Sequence, residues 1–190
     1  MSVALKKDEY YTYEDYYHWD TDERYELIDG SPYLMAPAPG IKHQLVVVEL
    51  AGEFRDFLKD KPCKAFVAPI DIRLNADAED DTVVQPDVLI VCDREKIDER
   101  GIRGAPDLVV EVISPSSEAY DSGVKLDRYL KAGVRECWIV NPADHIIRVY
   151  TKNSNGEEAM KAYGRDDTVQ AEIFPGLSVS FKTVFDAAEF

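Results

Sequence analysis

Acidic residues lie inside or beside two runs of strand-forming residues in the middle of the chain. The first run, residues 86–91, begins with Pro86-Asp87, and the second, residues 106–114, carries Glu111. Runs this rich in Val, Ile and Leu predict strands in the interior of a sheet. A buried carboxylate is costly unless it is paired or binds a cation. With Lys125 in the segment that follows, these strands predict a site for a divalent metal ion and phosphodiester chemistry.

Glu111 is the sharpest of these acids because apolar residues surround it on both sides. Alternation along a strand puts Asp107, Val109, Glu111 and Ile113 on one face. The alternative to a functional role is a buried ion pair with a lysine or arginine of the next helix. Asp107 stands at the start of its strand, where exposure to solvent is expected.

Asp87 opens the first strand directly after Pro86. It can serve a cation site, or it can be an acid at a strand end that only caps a turn. Both interpretations remain open from the sequence.

Lys125 shares a helical face with Asp121 and Tyr129, each four residues away. The side chain either points to the acids, where it would orient water and offset phosphate charge, or forms a surface pair with Asp121. Three further basic residues would add local positive potential: Arg128, Lys131 and Arg135.

Glu26 and His43 are the remaining candidates. Glu26 lies between Tyr25 and Leu27 and either pairs with Arg24 or adds an acid to the site. His43 begins a helix after a Pro/Gly-rich loop, where a histidine is also an ordinary helix-end residue.

Periodicity and turn signals predict one domain, residues 1–190, of the mixed α/β (α+β) class. Helices are predicted at residues 12–19, from Ile41 to before Pro62, at 121–132 with Gly133 as C-cap, and at 183–190. Strands are predicted on both sides of Asp29-Gly30, at 69–74, at 137–140 and at 146–150, with an acidic loop at 75–81. The stretch from Thr151 carries no functional signal and is expected to complete the sheet or an interface.

The composition restricts the class of protein. The net charge is −15, from 22 basic and 37 acidic residues, so contact with nucleic acid requires a local basic cleft. Cys63, Cys92 and Cys137 follow no zinc spacing and are predicted to be separate, buried thiols in a reducing compartment. The sequence contains neither a membrane-length apolar run nor an N-terminal signal segment, so a cytoplasmic protein is expected.

The ordered motifs resemble the Uma-two family of restriction-endonuclease-like proteins. They comprise residues 24–30, His43, Pro86-Asp87, residues 106–116, and then Asp121, Lys125, Tyr129, 132–134, Glu136, Trp138 and 140–142. The resemblance implies the PD-(D/E)XK nuclease superfamily, a mixed central sheet flanked by helices that cuts DNA with magnesium. The family assignment covers the chain from about residue 11 to 150.

The resemblance also implies residue roles. Asp87 and Glu111 match the two acids, and with the backbone carbonyl of Val112 they would hold Mg²⁺, or Mn²⁺ in its place. The superfamily pattern has lysine where this chain has Ile113, so the lysine is expected from the next helix, at Lys125. Glu26 and His43 match further positions at the cleft, for a second metal and for a phosphate or water.

Three functions stay open from the sequence. The first is a metal-dependent DNA endonuclease, for which a homodimer would let two sites cut two strands. The second is a catalytically silent nucleic-acid-binding or protein-interaction module on the same fold, which Ile113 and the net charge favour. The third is a metal-dependent hydrolase that acts on another substrate.

Overall fold

The structure is a computed structural model that describes residues 9–114, 117–153 and 155–189. Pro115 and Ser116 of the family motif, and Phe190 at the end of the last predicted helix, lie outside these ranges. The helices are α1 (Tyr13–Tyr17), α2 (Ile41–Phe57), α3 (Leu126–Ala132) and α4 (Phe181–Ala187), and a π-helical segment (Tyr120–Lys125) leads directly into α3. The strands are β1 (Tyr25–Ile28), β2 (Ser31–Leu34), β3 (Lys64–Val67), β4 (Ile72–Arg73), β5 (Val83–Val84), β6 (Val88–Val91), β7 (Ile97–Asp98), β8 (Gly101–Arg103), β9 (Leu108–Val112), β10 (Glu136–Asn141), β11 (Ile146–Lys152), β12 (Glu158–Tyr163), β13 (Thr168–Gln170) and β14 (Ser178–Ser180).

In the described part of the chain, a six-stranded mixed sheet carries the two acidic runs. Its order is β12-β11-β10-β9-β6-β3, with β9 and β10 parallel and the other pairs antiparallel. Every residue of β6, β9 and β10 is buried, as expected of strands covered on both faces. The predicted mixed α/β class is therefore confirmed.

Both faces of this sheet are covered, and alternation along β9 distributes its residues between them. Leu108, Val110 and Val112 pack with α2 and α4 in one core. Val109 packs on the opposite face with Tyr129 of α3. Because successive side chains of a strand point to opposite faces, Glu111 belongs to the α3 face.

A second mixed sheet, with the order β2-β1-β5-β4-β8-β7 among the described strands, packs on the α3 face. It begins with the hairpin predicted at Asp29-Gly30, where φ is +48° and +75°. Positive φ at both central residues is the requirement of a type I′ hairpin turn, which Asp-Gly meets. The sequence does not predict this sheet as a separate unit, because β4, β5 and β7 have only two residues each and show no period.

Several predicted elements are confirmed, and others have different bounds. α2 ends before Pro62, Gly133 ends α3 with φ +98°, and β10 pairs antiparallel with β11. Helix α1 is shorter than predicted, and the expected strand at 69–74 is reduced to β4. The stretch after Thr151 supplies β12, the edge strand of the first sheet.

The prediction of three separate thiols is wrong for Cys63 and Cys92, which form a disulfide. The pairing of β3 with β6 sets Lys64 opposite Val91, and so brings the two cysteines together. Their separation of 29 residues hides this proximity in the sequence. Cys137 is free and buried, as predicted.

Candidate metal and nuclease site

The antiparallel pairing of β6 with β9 brings the two predicted acids to neighbouring positions. Val88 lies opposite Val110, so Asp87, one residue before, comes beside Glu111. The backbone N–H of Val112 donates to Oδ2 of Asp87 at 2.8 Å. The N–H and C=O of one strand residue point toward the same neighbouring strand, so the Val112 carbonyl faces the side on which Asp87 lies.

Lys125 reaches these acids from the π-helical segment. Its Nζ lies 2.8 Å from Oε1 of Glu111, 2.9 Å from Oε1 of Glu26 and 3.6 Å from Oδ1 of Asp121. The lysine and both glutamates are each 3% exposed. We call Glu26, Glu111, Asp121 and Lys125 the lysine cluster. Lys125 is thus not the surface partner of Asp121 that the helical spacing also allowed.

Glu26 enters the cluster from β1 of the second sheet. Its Oε1 also accepts a hydrogen bond from the backbone N–H of Gln85 at 2.7 Å. The site is therefore assembled from two sheets and the helix between them. The predicted alternative, a pair of Glu26 with Arg24, does not occur, since Arg24 donates to the Gln85 side chain.

Two tyrosines border the cluster. The hydroxyl of Tyr129 donates to Oε1 of Glu111 at 2.5 Å, so this oxygen is shared with Lys125. The buried hydroxyl of Tyr120 faces Glu26 but falls short of normal hydrogen-bond geometry with any described residue. The sequence marks Tyr129 as a helical neighbour of Lys125 and as part of the family motif, but it does not predict the hydrogen bond to Glu111.

The lysine cluster holds more acids than bases, and this controls its protonation. Burial raises the pKa of Glu111 well above its usual range. Burial alone would lower the pKa of Lys125, but Glu111, Glu26 and Asp121 outweigh it and hold that pKa well above its usual range. Burial likewise raises the pKa of Asp121. Lys125 therefore stays charged, and the surplus carboxylates favour proton uptake or a further cation.

His43, at the start of α2, lies beside the other acid. Its Nε2 is 3.2 Å from Oδ2 of Asp87. Its Nδ1 is buried and has no hydrogen-bond partner among the described residues. A buried ring nitrogen without a partner is costly, so this edge is suited to a polar ligand or water.

The other basic and acidic candidates lie elsewhere. Asp107 accepts from the backbone N–H of Cys92 at 2.7 Å and pairs with Arg135 at 2.5 Å. Arg128 pairs with Asp29 and Asp127, and Lys131 also pairs with Asp127. The positive potential predicted from Arg128, Lys131 and Arg135 is therefore neutralised by carboxylates.

The donor atoms of the site fit a hard divalent cation. Oδ1 of Asp87 and Oε2 of Glu111 have no hydrogen-bond partner in residues 9–114, 117–153 and 155–189. The same residues contain no group of three His, Cys, Asp or Glu side chains arranged to hold a metal ion. Mg²⁺ commonly takes only one or two carboxylates and keeps several waters, so two acids and a carbonyl are sufficient.

The mixed sheet flanked by helices, with two acids on neighbouring interior strands and a lysine from the adjoining helix, is typical of a restriction-endonuclease-like fold. Comparison with known proteins supports this assignment of the fold. The family model of Uma2, described as "Putative restriction endonuclease", matches residues 13–182, so the chain belongs to this family.

Two individual proteins resemble the whole chain. An uncharacterised protein of Synechocystis sp. is 27% identical over 180 residues, covering 93% of this chain and 92% of the relative. A crystal structure described as a "putative nuclease" from Anabaena variabilis superposes with a TM-score of 0.76 at 20% identity, covering 94% of this chain and 99% of the other. At this identity the structural likeness establishes the fold.

No helix in the described ranges combines the length and apolar character needed to cross a membrane.

Proposed function

We propose that this protein is a metal-dependent DNA endonuclease that hydrolyses phosphodiester bonds. The observation that carries the proposal is the convergence of Asp87, Glu111 and Lys125, which come from two neighbouring interior strands and a helical segment. Family membership supports a nuclease-like activity. The dependence on a metal ion and the choice of DNA as substrate are also proposed.

Asp87, Glu111 and the carbonyl of Val112 are the proposed ligands of Mg²⁺, with Mn²⁺ as a substitute. The cation would polarise a phosphate and lower the pKa of a bound water. Glu26 is proposed to hold a second cation, and His43 a phosphate oxygen or water through its unpartnered nitrogen.

Lys125 is proposed to orient water and offset developing negative charge. An ammonium group has three donors. Two of them are taken by Glu111 and Glu26 at under 3 Å, while Asp121 lies at 3.6 Å, beyond a strong hydrogen bond. The third donor can therefore turn to a water or phosphate oxygen without breaking a short contact.

A catalytically silent binding module is the second candidate. Ile113 stands where the superfamily pattern has lysine, and Lys125 is already surrounded by carboxylates. In that function the cluster would act as a buried ion network that stabilises the fold, and metal binding would bring no cleavage.

Nicking of supercoiled plasmid in Mg²⁺ or Mn²⁺ tests the proposal. We expect the wild type to nick the plasmid, and Asp87→Asn, Glu111→Gln and Lys125→Met to lose activity by on the order of a hundredfold or more. Asp107→Asn is the matched control, because Asp107 also follows a proline at a strand start but pairs with Arg135. It should retain activity.

A thermal shift with and without the metal separates the two candidates. Stabilisation by metal without nicking would favour the silent module or another substrate. Nicking that survives Glu111→Gln would overturn the assignment of the site.

A further inference from the structure

A polar cleft of about 350 Å³ opens beside the lysine cluster but belongs to different residues. The cleft is lined by residues 69–71, by Gln85 and by the hairpin at 98–101. A volume of this size accommodates a small organic ligand.

Asp71 is the central polar group of this cleft. Its Oδ1 accepts hydrogen bonds from Nε2 of Gln85 at 2.8 Å and from the hydroxyl of Tyr16 at 3.0 Å. Its Oδ2 has no hydrogen-bond partner among the described residues. Burial raises the pKa of this carboxyl, while the hydrogen bonds from Gln85 and Tyr16 and the charge of Arg24 act in the opposite direction.

The surroundings of Asp71 are negatively charged. Asp98 and Glu99 line the same cleft. Arg100, the basic residue in its lining, is 3.2 Å from Glu14 and lies over the ring of Tyr17 at 4.2 Å. Arg24 approaches from outside and donates to the Gln85 side chain. Asp98 and Glu99 are exposed at the hairpin, where Oδ1 of Asp98 accepts a hydrogen bond from the backbone N–H of Arg100 at 2.7 Å. Three acidic residues thus line the cleft, while Arg100 pairs with Glu14 and Arg24 binds the Gln85 side chain.

The lining of the cleft also includes apolar surface that suits the aliphatic part of a ligand. Pro69 and Ile70 supply apolar surface next to Asp71. Gly101 has φ +133°, and a Cβ on it would lie 2.3 Å from the carbonyl oxygen of Asp71. The hairpin can therefore pass this close to Asp71 only with glycine at position 101.

We propose that this cleft binds a guanidinium or primary ammonium group carried on an aliphatic stem, with Oδ2 of Asp71 as its acceptor. Guanidinium and ammonium groups are donors only, which matches a carboxylate oxygen in an acidic cleft.

The proposal is independent of the proposed nuclease function. Gln85 connects the two sites, since its backbone binds Glu26 and its side chain binds Asp71. The cleft nevertheless uses neither Asp87 nor Lys125, so loss of cleavage and loss of cation binding are separate results.

Calorimetric titration of the whole chain at low ionic strength tests the cleft. The probes are butylguanidine, its uncharged analogue butylurea, agmatine and the peptide Gly-Arg-Gly. Asp71→Asn removes the charge but keeps the acceptor at Oδ1 for Tyr16 and Gln85. Glu53→Gln, an exposed acid on α2, is the control with the same change in charge.

We expect butylguanidine to bind the wild type and Glu53→Gln alike, and to bind Asp71→Asn at least about tenfold more weakly. Butylurea should not bind. Tighter binding of agmatine than of the peptide would identify a free cation as the ligand; the reverse would identify an arginine side chain of a protein partner.

Equal affinity of butylguanidine for the wild type and Asp71→Asn, or equal binding of butylurea, would overturn the proposal. If Asp71→Asn does not fold, Glu99→Gln at the exposed rim replaces it, with a smaller loss of affinity expected. Unchanged affinity in that variant would then count against the cleft.

Discussion

Replacing Lys125 by methionine removes the ammonium group from the lysine cluster while keeping the length of the side chain. The ammonium is within 3 Å of both Glu26 and Glu111, and all three residues are 3% exposed. The variant leaves buried carboxylates without their cation. Removing one partner of a buried ion pair costs about 3–5 kcal/mol, since the remaining charge stays desolvated.

This loss in the free energy of unfolding lowers the melting temperature by a measurable amount. For a chain of 190 residues, each kcal/mol shifts the melting temperature by roughly 2–4 °C, so we expect a decrease of about 6–20 °C. The decrease should depend on pH. Burial already raises the pKa of Glu111 in the folded state, and loss of the ammonium removes the strongest influence that lowers it. The folded variant then binds more protons than the unfolded chain, so its stability falls as pH rises above the ordinary range of a carboxyl.

Urea unfolding at about pH 5 and about pH 8 measures both effects. The deficit should be larger at the higher pH, where the carboxylates must ionise without a partner. Lys131→Met, which breaks an exposed pair with Asp127 on the same helix, is the control and should cost only about 0.3–0.5 kcal/mol. If Lys125→Met is as stable as Lys131→Met at the higher pH, the buried charges of the cluster do not interact as argued.

Three further substitutions test other parts of the structure. Tyr129→Phe keeps the ring but loses the hydrogen bond to Glu111, and should cost about 1.5–3 kcal/mol in urea unfolding; an unchanged midpoint would contradict that bond. In Gly133→Ala the added Cβ meets no atom within 4 Å, but the alanine must adopt φ +98°. We therefore expect the free energy of unfolding to fall by about 1–2 kcal/mol from backbone strain alone. An unchanged free energy of unfolding would contradict the left-handed end of α3. Phe54→Ala removes a fully buried ring 5.5 Å from the ring of Trp138, and should cost about 3–5 kcal/mol and weaken the near-UV signal of that tryptophan; a surface-like effect would contradict the α2 core.

Local signals in the sequence predicted much of the fold. Asp29-Gly30 predicted its hairpin because the turn needs two residues that tolerate positive φ, and Gly133 predicted the end of α3 for the same reason. Continuous apolar runs predicted the buried strands β6, β9 and β10. The sequence does not predict the second sheet, because β4 and β5 contribute two residues each and show no period.

The candidate site was predictable in its residues but not in its contacts. Glu111 stood out because a single acid interrupts an apolar run, and the family resemblance pointed to Lys125. That Lys125 also contacts Glu26, 99 positions earlier in the chain, depends on how the second sheet packs against α3. The roles of Tyr129 and of the Gln85 backbone follow from the same packing.

The sequence by itself determined the class of fold, because apolar runs and turn signals act on residues close along the chain, and its ordered motifs indicated the family. Only the tertiary structure decided which charges meet: Lys125 with Glu26 and Glu111, Asp107 with Arg135, and Cys63 with Cys92. The physical reason is that electrostatic and covalent pairing depend on distance in space. Strand register and the packing of the two sheets set that distance, and spacing in the sequence does not.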